Sequence, residues 1–168
     1  MPLGFGMVRG RMAGRWLGLS ALAGLGAVAA ALVSQHVFDM QPCPWCVLQR
    51  LIFLCIALVC AVGWAVNAVP LRRALAGLAL LLALCGVAAA LWQHFKAAAS
   101  ASCNLTLADK IVGSLHLNTL LPSVFEARAS CADAAVNLLG VPYDFWALAL
   151  FAYIALAALQ AVRVAAGR

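Results

Sequence analysis

Charge is what this 168-residue chain has least of. Only 10% of its residues are charged, and only five of those are acids. A soluble domain usually carries roughly 25% charged residues and about 45–50% apolar ones; here 67% are hydrophobic. A water-soluble fold of this size has too little interior for that excess, and disorder is excluded on the same ground. Internal repeats, low-complexity tracts and Gly-rich phosphate loops are also lacking, and the apolar segments do not alternate with period two, which argues against a membrane barrel. What fits is one integral membrane domain, residues 1–168.

Four stretches are nearly or wholly free of formal charge: residues 16–38, 47–69, 74–95 and 145–162. A helix needs about 20 apolar residues to cross a hydrocarbon core of about 30 Å, so each is read as a transmembrane helix. The first also has features of a signal peptide, with small residues at Ala27, Ala29 and Ala30. Its apolar run continues to Phe38, so it is read as a retained span. Gly14 and Gly18 form a GxxxG pair suited to close helix packing.

The net charge of +6 is one of orientation. Arg9, Arg11, Arg15, Arg72, Arg73, Arg163 and Arg168 fall on one side of four crossings, which the positive-inside rule makes cytoplasmic. The other side receives Arg50, Lys96, Lys110 and Arg128 with all five acids, Asp39, Asp109, Glu126, Asp133 and Asp144. Nothing in this pattern points to nucleic acid. Both termini are expected in the cytoplasm, with a short outer loop over 39–46 and a long one over 96–144. Within the latter, residues 111–125 are apolar around Pro122, as suits either a short helix lying on the membrane surface or a loop packed on the bundle.

Of seven cysteines, Cys55, Cys60 and Cys85 fall inside spans and read as small hydrophobes. Cys43, Cys46, Cys103 and Cys131 fall on the non-cytoplasmic side, where an even number argues for disulfide chemistry. Cys43-Pro44-Trp45-Cys46 is a CxxC at the start of the second span. Cysteines three apart on a first helical turn lie within bridging range, and a helix N-terminus favours a thiolate. Arg50, one turn past Cys46, shares its face. There it can snorkel to the headgroups, hold a thiolate, or donate to an oxygen gaining charge. Cys103 and Cys131 are a second pair on the long loop, where a structural bridge and a mobile redox pair both fit the residues. A four-cysteine zinc site lacks short ligand spacing at Cys103 and Cys131. Two inert disulfides in a structural four-helix protein are the other alternative.

Cys-Pro-Trp-Cys, Arg50, the two loop cysteines, Leu121-Pro122-Ser123-Val124-Phe125 and Leu139-Gly140-Val141-Pro142 before Trp146 together resemble the disulfide bond formation protein B (DsbB) family. Quinone reductases of the vitamin K epoxide reductase type place their CxxC late in the chain, whereas here it comes first. The resemblance implies an all-α four-transmembrane-helix bundle in the bacterial inner membrane. It also implies re-oxidation of a periplasmic DsbA-like thiol oxidase, with the electrons passed to ubiquinone or menaquinone. By that resemblance Cys103 forms the mixed disulfide with the partner oxidase, and Cys131 is its resting partner. Cys43 exchanges with Cys131, Cys46 is freed beside the quinone, and Arg50 and His94 border the quinone site. His36 and His116 read as structural, and no metal is expected. Gln49 stands where an acid would have offset Arg50.

Overall fold

The computed structural model describes residues 3–98 and 106–165, with side chains from residue 10 onward. Four long helices dominate it: α1 (Leu3–Val37), α2 (Pro44–Ala65), α3 (Val69–Trp92) and α7 (Tyr143–Ala165). Each contains a segment long and apolar enough to cross a membrane, and the chain is a multi-pass membrane protein. The helices form a ring in which α1 packs on α2, α2 on α3, α3 on α7 and α7 on α1. Leu22, Leu58, Leu81, Leu84 and Leu156 point outward from this ring, as a surface facing lipid requires.

Helix bounds differ from the charge-gap expectation in instructive ways. α1 runs back through Arg15 and Arg11, because charges mark where lipid ends, and a helix can continue into water. α2 begins at Pro44, so the last three residues assigned to the first loop are helical. Pro44 occupies the first turn, where its missing N–H costs nothing. α2 ends at Ala65, and Val69 opens α3 instead of closing α2. Arg72, expected in a cytoplasmic loop, is buried. It donates from Nε to the Gly63 carbonyl at 3.1 Å, from Nη1 to that of Gly10 at 2.6 Å, and from Nη2 to that of Val66. The Gly63 carbonyl is among those a helix C-terminus leaves without a partner, and a guanidinium there also complements the helix dipole.

Small residues set the packing distances. Ala76, Ala79 and Ala83 of α3 are fully buried, so backbones approach closely, as in membrane bundles generally. Phe53 of α2 stacks on Phe151 of α7 with centroids 3.8 Å apart and planes 2° from parallel. The Phe151 ring lies over Gly86, where an added Cβ would stand 2.3 Å from the ring carbons. Gly14 and Gly18 do not bring two backbones together. They make room for the Trp64 indole, 3.7 and 3.5 Å from where their Cβ atoms would be. The close backbone approach falls at Gly24, 2.9 Å from the Phe53 carbonyl by the same measure.

α3 passes into a π-helical turn, Gln93–Ala97. The long connection then holds α4 (Leu107–Ser114), α5 (Leu117–Leu120), α6 (Pro122–Phe125) and a hairpin of β1 (Asn137–Leu138) with β2 (Val141–Pro142). α4 starts on a reciprocal cap: Thr106 Oγ1 accepts from Asp109 N–H at 3.2 Å, and Asp109 Oδ2 accepts from Thr106 N–H at 2.9 Å. The hairpin turns through Leu139 and Gly140, both at positive φ (55° and 81°), as tight two-residue hairpins need. The segment over 111–125 is part buried and part exposed. Val112 and Phe125 bury against Val47 of α2, while Leu115, Leu120 and Leu121 stay exposed.

A methyl group at Gly86 must displace a ring already stacked on Phe53. Gly86→Ala is therefore expected to destabilise the detergent-solubilised protein by about 1–3 kcal/mol. Gly77→Ala, with nothing within 4 Å, should be neutral or stabilising, because alanine is the better helix former by about 0.5–1 kcal/mol. Thermal unfolding midpoints of the two variants, measured side by side, check the contrast.

Candidate functional site

The site forms where α2 begins. Cys43 is the N-cap of α2, in extended conformation, and its Sγ accepts the Cys46 N–H at 3.3 Å. Cys43 Sγ and Cys46 Sγ lie 2.8 Å apart. The long connection returns to this point. Arg128 and Ala129 N–H both donate to the Pro42 carbonyl, at 3.0 and 3.2 Å. That pair of bonds sets Cys131 beside Cys43, with which it is hydrogen-bonded. Cys131, Cys43 and Cys46 thus stand in a row with Cys43 in the middle. Ala108, Trp45, Leu48 and Ala89 close over the row. Cys103 lies outside the described residues.

A helix start favours a thiolate in the CxxC pair, and at Cys43 itself the surroundings act the other way. The Cys43 thiol is pushed far above the ordinary thiol range, first by its hydrogen bond to Cys131, then by that to Cys46 and by burial. Cys131 is shifted down from its ordinary value because Cys43 donates to it, which outweighs the cost of burial. The middle sulfur holds the proton, and Cys131 is the better nucleophile.

Arg50 is buried one turn beyond Cys46. It does not snorkel. Its Nη1 donates to Gln35 Oε1 at 2.6 Å and to the Val124 carbonyl at 3.0 Å, and its Nη2 donates to the Ala31 carbonyl at 3.3 Å. Of the five N–H donors of a guanidinium, Nε–H and one Nη2 hydrogen have no acceptor among the described residues. Two carboxamides that sequence reasoning did not single out complete the polar set. Gln35, just named, is one. Gln93 is the other: its Nε2 lies 3.3 Å from Cys46 Sγ, and its Oε1 accepts from Gln49 Nε2 at 2.7 Å. The available signal was the occurrence of Gln35 and Gln93 at the ends of otherwise apolar spans, where polar groups need a partner.

Cys46, Gln49, Arg50 and Gln93 form one end of a cavity of about 750 Å³. Ala27, Ala30 and Ala31 of α1, Phe53 of α2, and Ala147 and Leu150 of α7 give it an apolar wall, and Asp39, Gln41, Arg128 and Asp133 of the two connections also line it. His94 faces elsewhere. It binds Asp144 (Nδ1 to Oδ2, 2.7 Å) and lines a smaller cavity of about 150 Å³ together with Cys131. Asp144 lines both cavities. His36 bonds the Ser123 carbonyl at 3.3 Å, tying α1 to α6.

The family model for the disulfide bond formation protein DsbB matches residues 13–161, from α1 to the last turns of α7. The chain belongs to the DsbB family. It is 37% identical over 137 residues to disulfide bond formation protein B of Herminiimonas arsenicoxydans, covering 81% of this chain and 86% of the relative. Its identity to the protein of the same name from Pseudomonas syringae pv. tomato is 35%, covering 84% and 85%. For that of Aromatoleum aromaticum it is 32%, covering 88% and 90%. As a DsbB protein, it is an oxidoreductase of disulfide bond formation set in a membrane.

The Cys43 hydrogen bond lowers the pH at which Cys131 ionises, so removing the donor must raise it. In the reduced DsbB chain, the pH profile of Cys131 alkylation, read by peptide mass spectrometry, is expected to have its midpoint below the ordinary thiol value of about 8.5. In Cys43→Ala the profile should move to higher pH. An unchanged profile would show that Cys43 does not set the ionisation of Cys131.

Proposed function

We propose that this protein re-oxidises a soluble periplasmic DsbA-like dithiol oxidase and passes the electrons to a membrane quinone, ubiquinone or menaquinone. The observation that carries this is the row Cys131–Cys43–Cys46 ending at an apolar cavity that also holds Arg50. One end of the row reaches the polar connection, and the other reaches a space shaped for a lipid-soluble molecule.

The residues present fit a quinone. A cavity of about 750 Å³ lies within the roughly 300–1,000 Å³ typical of small-molecule sites. Its alanine, phenylalanine and leucine walls suit a flat ring and an isoprenoid tail. Arg50 has uncommitted donors for a ring oxygen, and Gln49 and Gln93 add polarity at the same end. A quinone held there would supply the two-electron acceptor for the Cys43/Cys46 dithiol.

Cys103 is assigned the mixed disulfide with the partner oxidase by family resemblance, and Cys131 becomes the thiolate released when its bond to Cys103 is broken. The Cys131 thiolate then attacks Cys43 Sγ. The Cys43–Cys46 bond breaks, the Cys131–Cys43 bond forms, and Cys46 leaves carrying the electron pair. Exchange of this kind proceeds through mixed disulfides and needs a thiolate attacker, which Cys131 is on release from its bond to Cys103. Arg50, with Gln35 bracing it, presents positive charge to the cavity end where negative charge develops. His94 acts on the same region through Asp144, which it binds and which lines the large cavity.

The orientation belongs to the same proposal. The end holding Arg11, Arg15, Arg72, Arg73 and Arg163 faces the cytoplasm of a bacterial inner membrane, and the sulfur end faces the periplasm.

Three variants test these roles. Cys46→Ser should abolish quinone reduction by reduced partner oxidase; normal turnover would remove the basis of the proposal. Cys131→Ala should accumulate a covalent adduct with the oxidase through Cys103, visible on non-reducing gels. Arg50→Ala should raise the quinone KM by about 10-fold or more, the worth of a charge-assisted hydrogen bond, while adduct formation in the Cys131→Ala background stays unchanged. Equal loss of both would assign Arg50 to the architecture alone.

A further inference from the structure

We infer that Gln93 is a catalytic hydrogen-bond donor to the Cys46 sulfur, aimed by Gln49 and placed by the π-helical turn at the end of α3. The inference rests on the proposed function in one respect, that Cys46 is the sulfur that leaves as a thiolate.

Gln93 and Gln49 are each only 5% exposed. The Gln49 amide donates to Gln93 Oε1, which leaves Gln93 Nε2 to point the other way, at Cys46 Sγ. A buried carboxamide pair could satisfy itself without a sulfur. This pair instead leaves a donor over and directs it at the reacting atom. Among the described residues Gln93 Nε2 is the side-chain donor left to Cys46 Sγ once Cys43 is in a disulfide, because the thiol proton of Cys43, 2.8 Å away, is then gone. The hydrogen bonds Arg50 makes in the structure run instead to α1 and α6. The backbone supplies the aim. Gln93 opens the π-helical turn, and such turns shift side-chain direction at functional sites.

The chemistry gives the contact its value. A sulfur in a disulfide or thiol accepts hydrogen bonds weakly; a thiolate accepts them about twice as strongly as a neutral group does. When the Cys131 thiolate attacks Cys43, one S–S bond forms and one breaks, with no net oxidation. The negative charge moves from Cys131 to Cys46. The Gln93 N–H is already in place when that charge arrives, so it favours the state after exchange over the state before it.

The test uses the full chain in detergent, stripped of quinone, carrying Cys103→Ser and Cys131→Ser so that Cys43/Cys46 is the responding pair. Its disulfide–dithiol equilibrium is titrated against glutathione buffers at a pH where Cys46 of the reduced pair is ionised, set from its own alkylation profile, and read by alkylation of the 43–46 peptide. Gln93→Met keeps the volume and removes the donor; the equilibrium is expected to shift about 10-fold toward the disulfide, the loss of one hydrogen bond to a charged group. Gln49→Met adds no charge and removes the donor that orients Gln93, and should shift the equilibrium in the same direction by a smaller factor. A constant within about two-fold of the parent in Gln93→Met, with an unchanged unfolding midpoint, overturns the inference. If Gln93→Met does not fold, Gln93→Leu decides by the same criterion. No partner or quinone is present, so failure here is separable from failure of the proposed function, which the Cys46→Ser turnover assay reads.

Discussion

The Pro42 carbonyl accepts two backbone N–H groups from residues 128 and 129, and the arrangement of the site depends on that clamp. It joins the short connection before α2 to the far end of the long connection before α7. Closing a loop of this length costs several kcal/mol of chain entropy, so the clamp does not stand alone. Phe125 is buried on Val47, Arg50 holds the Val124 carbonyl, and His36 holds that of Ser123. The result places a cysteine from a polar connection in contact with one at a helix start. Neither segment by itself would specify that contact.

The bundle serves the site by being thin-walled. Alanines on α3 and Gly86 let Phe151 cross the interior to stack on Phe53, which closes the middle of the ring. Above that stack, α1 and α7 contribute alanines where larger side chains would fill space, and the cavity remains. Buried polar groups at its end are mostly paired: Arg50 with Gln35, and Gln49 with Gln93. Paired groups hold fixed orientations, which an electrostatic role in a low-dielectric setting requires.

The sequence carried the architecture and the cysteine chemistry more fully than the polar details. Spans were legible because charge is scarce and its gaps have membrane length. The CxxC was legible as a helix start because Pro44 follows Cys43, and the ordered motifs resembled the family that the comparison then established. Helix ends were less legible. Arg72 looked like a loop cation, but its three carbonyl acceptors become visible only once α1 and α2 are placed. Counting formal charges also passed over Gln35 and Gln93, which are neutral and yet as constrained by burial as Arg50. The proton on Cys43 was not legible for a related reason: a helix N-terminus is a local signal, whereas the neighbouring Cys131 arrives through a long-range contact. The direction of His94 depends on a π-helical turn that no periodicity announces.

Arg72 has a mechanical consequence. Its guanidinium spans carbonyls of α1, of α2 and of the turn before α3, so three members of the ring are stitched together at the end remote from the sulfurs. α7 takes no part in that stitch. Its side-chain bonds to other helices, Tyr143 to Ser34 and Asp144 to His94, lie at the opposite end. Among the described residues, swinging the far end of α7 away from α1 would therefore break no side-chain hydrogen bond. α7 is thus fastened to its neighbours by polar bonds at the sulfur end and held at the other by apolar packing, so the wall of the cavity is its firmer half.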